Sequence, residues 1–463
     1  MPPLAAAAAP GASPAASPAA DPRAAAAPRL LVIAIEAVPY DAIARWADPA
    51  QTDPPLFAGL AGPTPLVSTF PSATSLAFTG MLAPLGVPPA PGYEVRYFDR
   101  EAGRVRGGGA RSVRRSPFGW KSVFEFELRN LGRKALGYGW PHRHTPREID
   151  DLLAAFRASA DDPFFGYLTL PDALAHRDGP DGLLAALRHL DRGLEALRAE
   201  GPRPLRVALF SDHGIGGGER LENVRPAVRG ALRAAGLRPN GGLHRPGDVV
   251  LAPFGLLSSL VAFTRPGEER AAAAALAGAP GIELCALPAG EGRWAVVGDG
   301  REGRVAEARI ERRTDGAYRY LPLDGDPLGY APVARALAAR GAAADGGWHP
   351  AESWLAATLD ARYPDALRRI ATGFELVANP ASVLCSLAPG HSYGSPWTEL
   401  GARASLGGLR WTHGALRRAD SLGFVMTDLS GWKPGNGLSF DELVPALGLD
   451  GGSGRPSRQA STY

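Results

Sequence analysis

The sequence predicts an α/β fold, with a mostly parallel central sheet flanked by helices and an inserted α+β subdomain. Three observations carry this. First, uninterrupted apolar runs of strand length, such as Leu30-Leu31-Val32-Ile33-Ala34-Ile35, suit strands buried on both faces. Second, such runs alternate with amphipathic stretches of helical spacing. Third, several of them end in Glu or Asp with a His close by, at the edge where open α/β sheets place their ligands. The 463 residues suffice for one large domain with a subsidiary one.

Composition narrows the class. Apolar residues make up 45% and charged residues 21%, which is the balance of a soluble globular protein. A net charge of +3 does not mark a binder of nucleic acid duplexes. No run reaches the ~18 apolar residues of a membrane span, so no membrane partner is expected. Residues 1–28 are Ala, Pro and Ser without the basic start and Leu/Val-rich segment of a signal peptide. They read as a disordered Ala/Pro tail, and the expected location is cytoplasmic. Cys285 and Cys385 lie in apolar runs and read as buried, reduced thiols. Two cysteines are too few for a disulfide framework or a structural zinc site.

Residues 29–221 read as the first part of the core. The strand at 30–35 ends at Glu36, and a helix follows around Asp41 to Trp46. In the stretch 68–82 a hydroxyl-rich turn leads into a small-residue helix, with Thr74 at the joint. A hydroxyl there meets unpaired N–H groups and the positive end of the helix dipole, groups that also hold phosphate. Arg104, Arg106, Arg111, Arg114 and Arg115 cluster around three glycines, either as a solvated loop or as a lid over an anionic substrate. Residues 133–140 read as a second strand and 146–158 as a helix, with His142 and His144 in a loop between them. A third strand, Phe164 to Leu170, leads into Asp172 and His176. The helix carrying Leu183, Leu187, Leu190, Leu194 and Leu197 follows, then a fourth strand from Leu205 to Phe210 that ends in Asp212 and His213.

Residues 222–330 read as the inserted α+β subdomain, and 331–450 as the C-terminal part of the core. The latter is helical to 378, and an apolar strand, Ala381 to Leu387, is expected to rejoin the main sheet. His391, a candidate phosphate contact, and Thr412-His413-Gly414 come next, before a last strand, Leu422 to Thr427. The polar tail 451–463 reads as disordered.

Asp172 and His176 are four residues apart, which puts a carboxylate and an imidazole on one helix face, a pairing suited to zinc. Asp212 and His213 are adjacent at a strand end, and His413 sits in a turn far along the chain. In order, Phe70-Pro71-Ser72-Ala73-Thr74, Asp172-Ala173-Leu174-Ala175-His176-Arg177-Asp178-Gly179-Pro180, Ser211-Asp212-His213-Gly214 and Thr412-His413-Gly414 follow the strand ending at Glu36-Ala37. This set resembles the motifs of the alkaline phosphatase superfamily, above all its type I phosphodiesterase / nucleotide pyrophosphatase branch. The resemblance spans roughly residues 29–450.

The resemblance implies an alkaline-phosphatase-like core and hydrolysis of a small-molecule phosphate ester through a phospho-threonine at Thr74. It implies two divalent metal ions, zinc or alternatively manganese. Asp172, His176 and His413 would hold one ion, and Glu36, Thr74, Asp212 and His213 the other. Four positions depart from the pattern: Glu36 replaces an Asp, Leu76 a Pro, Ala175 a Gly, and Ala77 the Asn that diesterase members often carry. Phosphate monoesters and diesters therefore both stay open as substrates. The alternative is a catalytically inactive or single-metal ligand-binding relative of the same fold.

Overall fold

The computed structural model describes residues 27–450, apart from 110, 111, 113–115, 202, 300–304, 341–345, 397, 399, 402–409 and 434. Both tails read as disordered, 451–463 and nearly all of 1–28, lie outside the described residues. In chain order the strands that build the two large sheets are β1 (Arg29–Ile35), β2 (Ala61–Val67), β3 (Phe164–Leu168), β4 (Leu205–Phe210), β5 (Arg238–Asn240), β6 (Asp248–Leu251) and β7 (Ser259–Phe263). They continue with β8 (Ile282–Pro288), β9 (Arg293–Asp299), β10 (Val305–Arg312), β11 (Tyr318–Asp324), β12 (Val383–Leu387), β13 (Leu422–Thr427) and β14 (Leu438–Ser439). The helices used below are α1 (Tyr40–Ala47), α2 (Thr74–Met81), α3 (Leu131–Gly139), α4 (Pro141–Ala158), α5 (Leu170–Asp178), α6 (Leu184–Glu200), α7 (Arg225–Ala234), α8 (Glu269–Ala277) and, after two further helices that need no label, Ala366–Gly373.

The main sheet has the order β14-β2-β13-β4-β1-β3. β1 pairs parallel with β3 and β4, and only β13 runs against its neighbours. The sheet is thus mostly parallel. Its central strand β1 is buried on both faces, as the unbroken apolar run requires. Leu31, Ile33 and Ile35 join one core with Ile43 and Trp46 of α1, Leu152 and Phe156 of α4, and Leu190 and Leu194 of α6. Val32 and Ala34 join a second core with Leu76, Phe78 and Met81 of α2 and with Val250, Phe263 and Leu284 of the other sheet.

That other sheet has the order β11-β10-β9-β8-β12-β7-β6-β5 and is antiparallel but for the β5–β6 pair. Two expectations are corrected here. The strand expected to rejoin the main sheet is β12, and it lies in this second sheet between β7 and β8. The second sheet is therefore not confined to the 222–330 stretch. Residues 133–140 are not a strand but most of helix α3, because the Asn130 side chain caps it by accepting from the Arg133 amide at 3.0 Å. His142 and His144 consequently sit on α4 rather than in a loop. No helix among the described residues is long and apolar enough to cross a membrane.

Candidate metal centre

Four segments converge at the carboxyl ends of β1, β3 and β4. β1 delivers Glu36, and the chain turns at once through Ala37, whose φ of 61° lies in the left-handed region. Ser211 at the end of β4 locks the two strand ends together: its hydroxyl accepts from the Val38 amide and donates to the His213 carbonyl, each at 2.9 Å. Asp212 and His213 then point into the site. Gly214 follows because a Cβ there would stand 2.3 Å from the Ala419 carbonyl oxygen. After β3, helix α5 carries Asp172 in its first turn and His176 one turn on. The amides of Thr169 and Leu170, at the start of that helix, donate to the buried Glu148 carboxylate at 3.0 and 2.8 Å. An acidic side chain from α4 thus satisfies groups a helix leaves unpaired.

Thr74 is the first residue of α2, but its hydroxyl makes no cap bond, and Ala73 occupies the cap position. The hydroxyl instead donates to Glu36 Oε1 at 2.6 Å and lies 3.2 Å from His213 Nε2. His413 arrives from the far end of the chain, its turn held by Gly414 at φ 117° and by the Ser258 amide donating to the His413 carbonyl at 2.7 Å.

All seven residues singled out from the sequence come together here. The donor atoms of six of them form two buried groups, Asp172/His176/His413 and Glu36/Asp212/His213, each with its atoms within 4.8 Å of one another, and the Thr74 hydroxyl adjoins the second. The groups are adjacent: the rings of His213 and His413 stack with centroids 3.9 Å apart.

The imidazoles share one feature. Nδ1 of His176, His213 and His413 each lies 2.8 Å from a backbone carbonyl oxygen, those of Trp411, Gly214 and Ser72. A carbonyl only accepts, so each Nδ1 carries the hydrogen, and in a neutral ring Nε2 presents a lone pair to the site. Burial pushes the pKa of His213 down to about 4 and that of His413 to about 3, so both are neutral. Their Nε2 atoms face carboxylate oxygens: His213 Nε2 is 3.4 Å from Asp212 Oδ2, and His413 Nε2 is 3.8 Å from Asp172 Oδ1.

The carboxylates are themselves crowded. Burial, with the nearby charges of Asp172 and Asp212, raises Glu36 well above the usual range. Burial pushes Asp212 up to about 7. Burial also acts on Asp172, but the His176 ring beside it at 3.2 Å prevails and holds that carboxyl low. Asp212 Oδ2 is buried without a hydrogen-bond partner, and Asp172 Oδ1 has the His176 ring beside it at 3.2 Å. Carboxyl groups pushed toward protonation by burial and mutual repulsion are returned to the charged form by a cation, and this donor set of carboxylate and imidazole suits a zinc-type ion. The residues present therefore fit divalent metal.

Two tyrosines that the sequence did not suggest complete the arrangement. Tyr167 of β3 donates to Glu36 Oε2, and Tyr138 of α3 donates to Asp172 Oδ2 at 2.8 Å. Each fixes a carboxylate from behind, the outer-shell role that metal-ligating groups require. Their signal was an aromatic hydroxyl, which sequence reading assigns to core packing.

A cavity of about 960 Å³ opens over Glu36, Thr74 and His413. Phe118, Trp120 and Phe124 line one wall, with Lys121, Arg129 and Lys134 among its polar groups. Among the described residues, Arg104 and Arg106 of the arginine loop do not line the cavity. Arg104 and Arg106 sit on an outlying hairpin, where Arg106 pairs with Asp99 at 2.7 Å, and Arg111, Arg114 and Arg115 lie outside the described residues. His391 does not line the cavity either; its Nδ1 lies 2.8 Å from the Pro389 carbonyl.

Arg369, on the helix Ala366–Gly373, is a further residue the sequence did not reveal. It is fully buried, and burial pushes its pKa down to about 10, still charged at neutral pH. Its guanidinium donates to the carbonyls of Thr69 at 3.1 Å, Pro364 at 3.0 Å and Leu416 at 2.7 Å, and to the hydroxyls of Ser72 at 3.0 Å and Ser421 at 2.5 Å. One cation thereby clamps the turn before Thr74 to the loop after His413.

Fold and site together define an α/β protein with two adjacent clusters of metal-type donors around a hydroxyl. No protein-family model and no curated protein sequence matches the chain. Among solved structures it is similar to human ectonucleotide pyrophosphatase / phosphodiesterase 5, at 11% identity and a TM-score of 0.46 over 90% of this chain and 93% of that one. The murine counterpart gives 12% and 0.42 over 91% and 95%. Phosphonoacetate hydrolase from Sinorhizobium meliloti 1021, in complex with phosphonoformate, gives 13% and 0.45 over 91% and 95%. These proteins are members of the alkaline phosphatase superfamily, the group the sequence motifs resemble. Likenesses at scores this low carry no argument about chemistry, which rests on the residues above.

Proposed function

We propose that the protein is a metal-dependent hydrolase of small phosphate esters that works through a phospho-threonine at Thr74. The observation that carries this is the Thr74 hydroxyl, turned away from the helix cap and held 2.6 Å from Glu36 and 3.2 Å from His213, beside two groups of metal-type donors. Asp172, His176 and His413 would hold one divalent ion, and Glu36, Thr74, Asp212 and His213 the other, with zinc the ion that best suits the donors. When bound, the ions polarise the phosphoryl group and lower the pKa of the threonine hydroxyl.

The chain's own residues do the rest. Glu36 orients the Thr74 hydroxyl and is itself held by Tyr167. The Thr74 oxygen bonds to phosphorus as the ester oxygen leaves, the hydroxyl proton passing to the leaving oxygen; water then attacks phosphorus, and one of its protons returns to the Thr74 oxygen as that P–O bond breaks. The positive end of α2 favours the charge on the transferred group. The aromatic wall and the cations of the cavity suit an anionic ester with an apolar or aromatic leaving group.

The test is turnover of p-nitrophenyl phosphate and bis-p-nitrophenyl phosphate by protein loaded with Zn²⁺ or Mn²⁺. Hydrolysis of at least one is expected, and their rate ratio separates monoesterase from diesterase. No turnover of either, with fewer than two ions per chain by elemental analysis, would leave the inactive or single-metal reading standing. Glu36→Ala is expected to lose about one metal equivalent and most activity, since it removes one of three carboxylates. Unchanged metal content would show that Glu36 is no ligand.

A further inference from the structure

The chain's two cysteines, 100 residues apart in sequence, meet inside the second sheet. Cys285 of β8 and Cys385 of β12 are directly opposite each other in an antiparallel pair, flanked in register by Leu284↔Ser386 and Ala286↔Leu384. Both side chains project to the same face, into a core with Val228, Leu260, Leu276 and Val297, and both are fully buried. Residues so opposed have Cα atoms ~4.5 or ~5.5 Å apart, according to whether they exchange hydrogen bonds. Either separation lies inside the range that a disulfide spans, ~4.4–6.8 Å. In this structure both cysteines are free thiols, and their sulfur atoms are in direct contact at 2.7 Å.

We propose that Cys285 and Cys385 are a modification site: a cross-strand disulfide that joins β8 to β12. The reaction is an exchange with a small-molecule disulfide such as oxidised glutathione. One cysteine thiolate attacks the glutathione disulfide, forming a mixed disulfide and releasing one glutathione thiolate. The second cysteine thiolate then attacks the protein sulfur of that mixed disulfide and releases the other glutathione. Two protein thiols are oxidised, the glutathione disulfide is reduced to two thiols, and the two protein protons end on glutathione. Because both sulfurs are buried in the folded sheet, the exchange takes place before the sheet closes, and the finished bond is shielded from reductant.

The bridge has a clear structural role. It ties a long loop, where the constraint on the unfolded chain is large. β12 also supports the metal centre: the Leu416 amide donates to Ser386 Oγ at 3.0 Å, and Arg417 donates to the Leu387 carbonyl at 3.3 Å, in the loop that follows His413. Disulfides persist in oxidising compartments. This bond therefore stands apart from the cytoplasmic expectation, which rested on the composition of residues 1–28 and on the lack of an apolar run of membrane-spanning length.

The full-length chain is synthesised in a cell-free system with oxidised glutathione, and the soluble protein is denatured and treated with iodoacetamide before and after reduction. No labelled thiol before reduction, two after, and a linked Cys285–Cys385 peptide pair in the unreduced digest are expected. Two labelled thiols before reduction, or thiols capped by glutathione without the linked pair, would overturn the proposal. A second measurement does not depend on alkylation. Reduction in denaturant followed by refolding with reductant present is expected to lower the Tm of the chain by about 5 °C, and the same treatment to leave the Tm of the Cys285→Ala/Cys385→Ala variant unmoved. Equal responses of the two proteins would also overturn it.

Discussion

Thr74→Ala is expected to lower turnover of phosphate esters by at least about a thousandfold, the scale on which loss of a covalent nucleophile is felt. The substitution removes the hydroxyl that lies 2.6 Å from Glu36 and 3.2 Å from His213, and little else. The helix does not depend on it, because Thr74 makes no cap bond. Three donors of the second group, Glu36, Asp212 and His213, remain, so metal content should persist. Thr74→Ser restores a hydroxyl at the same place and is expected to keep turnover within about tenfold of the parent. Single-turnover assays with mass spectrometry of the peptide around residue 74 report the phospho-enzyme directly. Undiminished turnover in the alanine variant would sink the covalent route, whereas loss in both variants with loss of metal would make Thr74 a structural ligand.

Arg369→Met is expected to destabilise the fold by about 3–5 kcal/mol, read from the urea midpoint at constant m-value. Methionine keeps the length of the side chain but none of its donors. The carbonyls of Thr69, Pro364 and Leu416 and the hydroxyls of Ser72 and Ser421 would lose their shared partner in a fully buried setting. The damage extends to chemistry: the Ser72 carbonyl receives the Nδ1 hydrogen of His413, and Thr74 is two residues further on. A loss below about 1 kcal/mol would mean that neighbouring backbone contacts hold the two loops without the guanidinium.

The sequence made the metal-type donors legible because Asp, His and Thr at strand ends and helix starts have few structural uses in that order. Its apolar runs located β1, β3, β4 and β13 for the same kind of reason: the stretch of a strand buried on both faces is almost wholly apolar. β2 went unseen because its Ala-Gly-Pro-Thr-Pro start reads as a loop. Pro63 and Pro65 are accommodated by a register shift between Ala61 and Thr64, and only Leu66 and Val67 need a partner on the β14 side. The short stretch at 133–140 mixes apolar and aromatic residues without a decisive period, and the capping Asn130 was the stronger signal. Glu148 and Arg369 were hidden for a different reason. A buried charge has the same letter as an exposed one, and its partners are backbone groups brought in by distant chain. The meeting of Cys285 with Cys385 is equally non-local, since it depends on β12 choosing the second sheet.

The origin of His413 has a further consequence. Asp172 and His176 belong to the helix after a strand of the main sheet, whereas the loop of His413 is bonded to Ser386 of the second sheet and to Ser258, just before its strand β7. An ion held by all three would act as a removable cross-link between segments about half the chain apart. Coordination and folding would then be one linked equilibrium. An ion that binds only the native state at a thousand times its Kd adds about 4.1 kcal/mol to stability. In that arrangement the centre is a keystone as well as a reagent, and metal supply sets how firmly the two sheets stay joined.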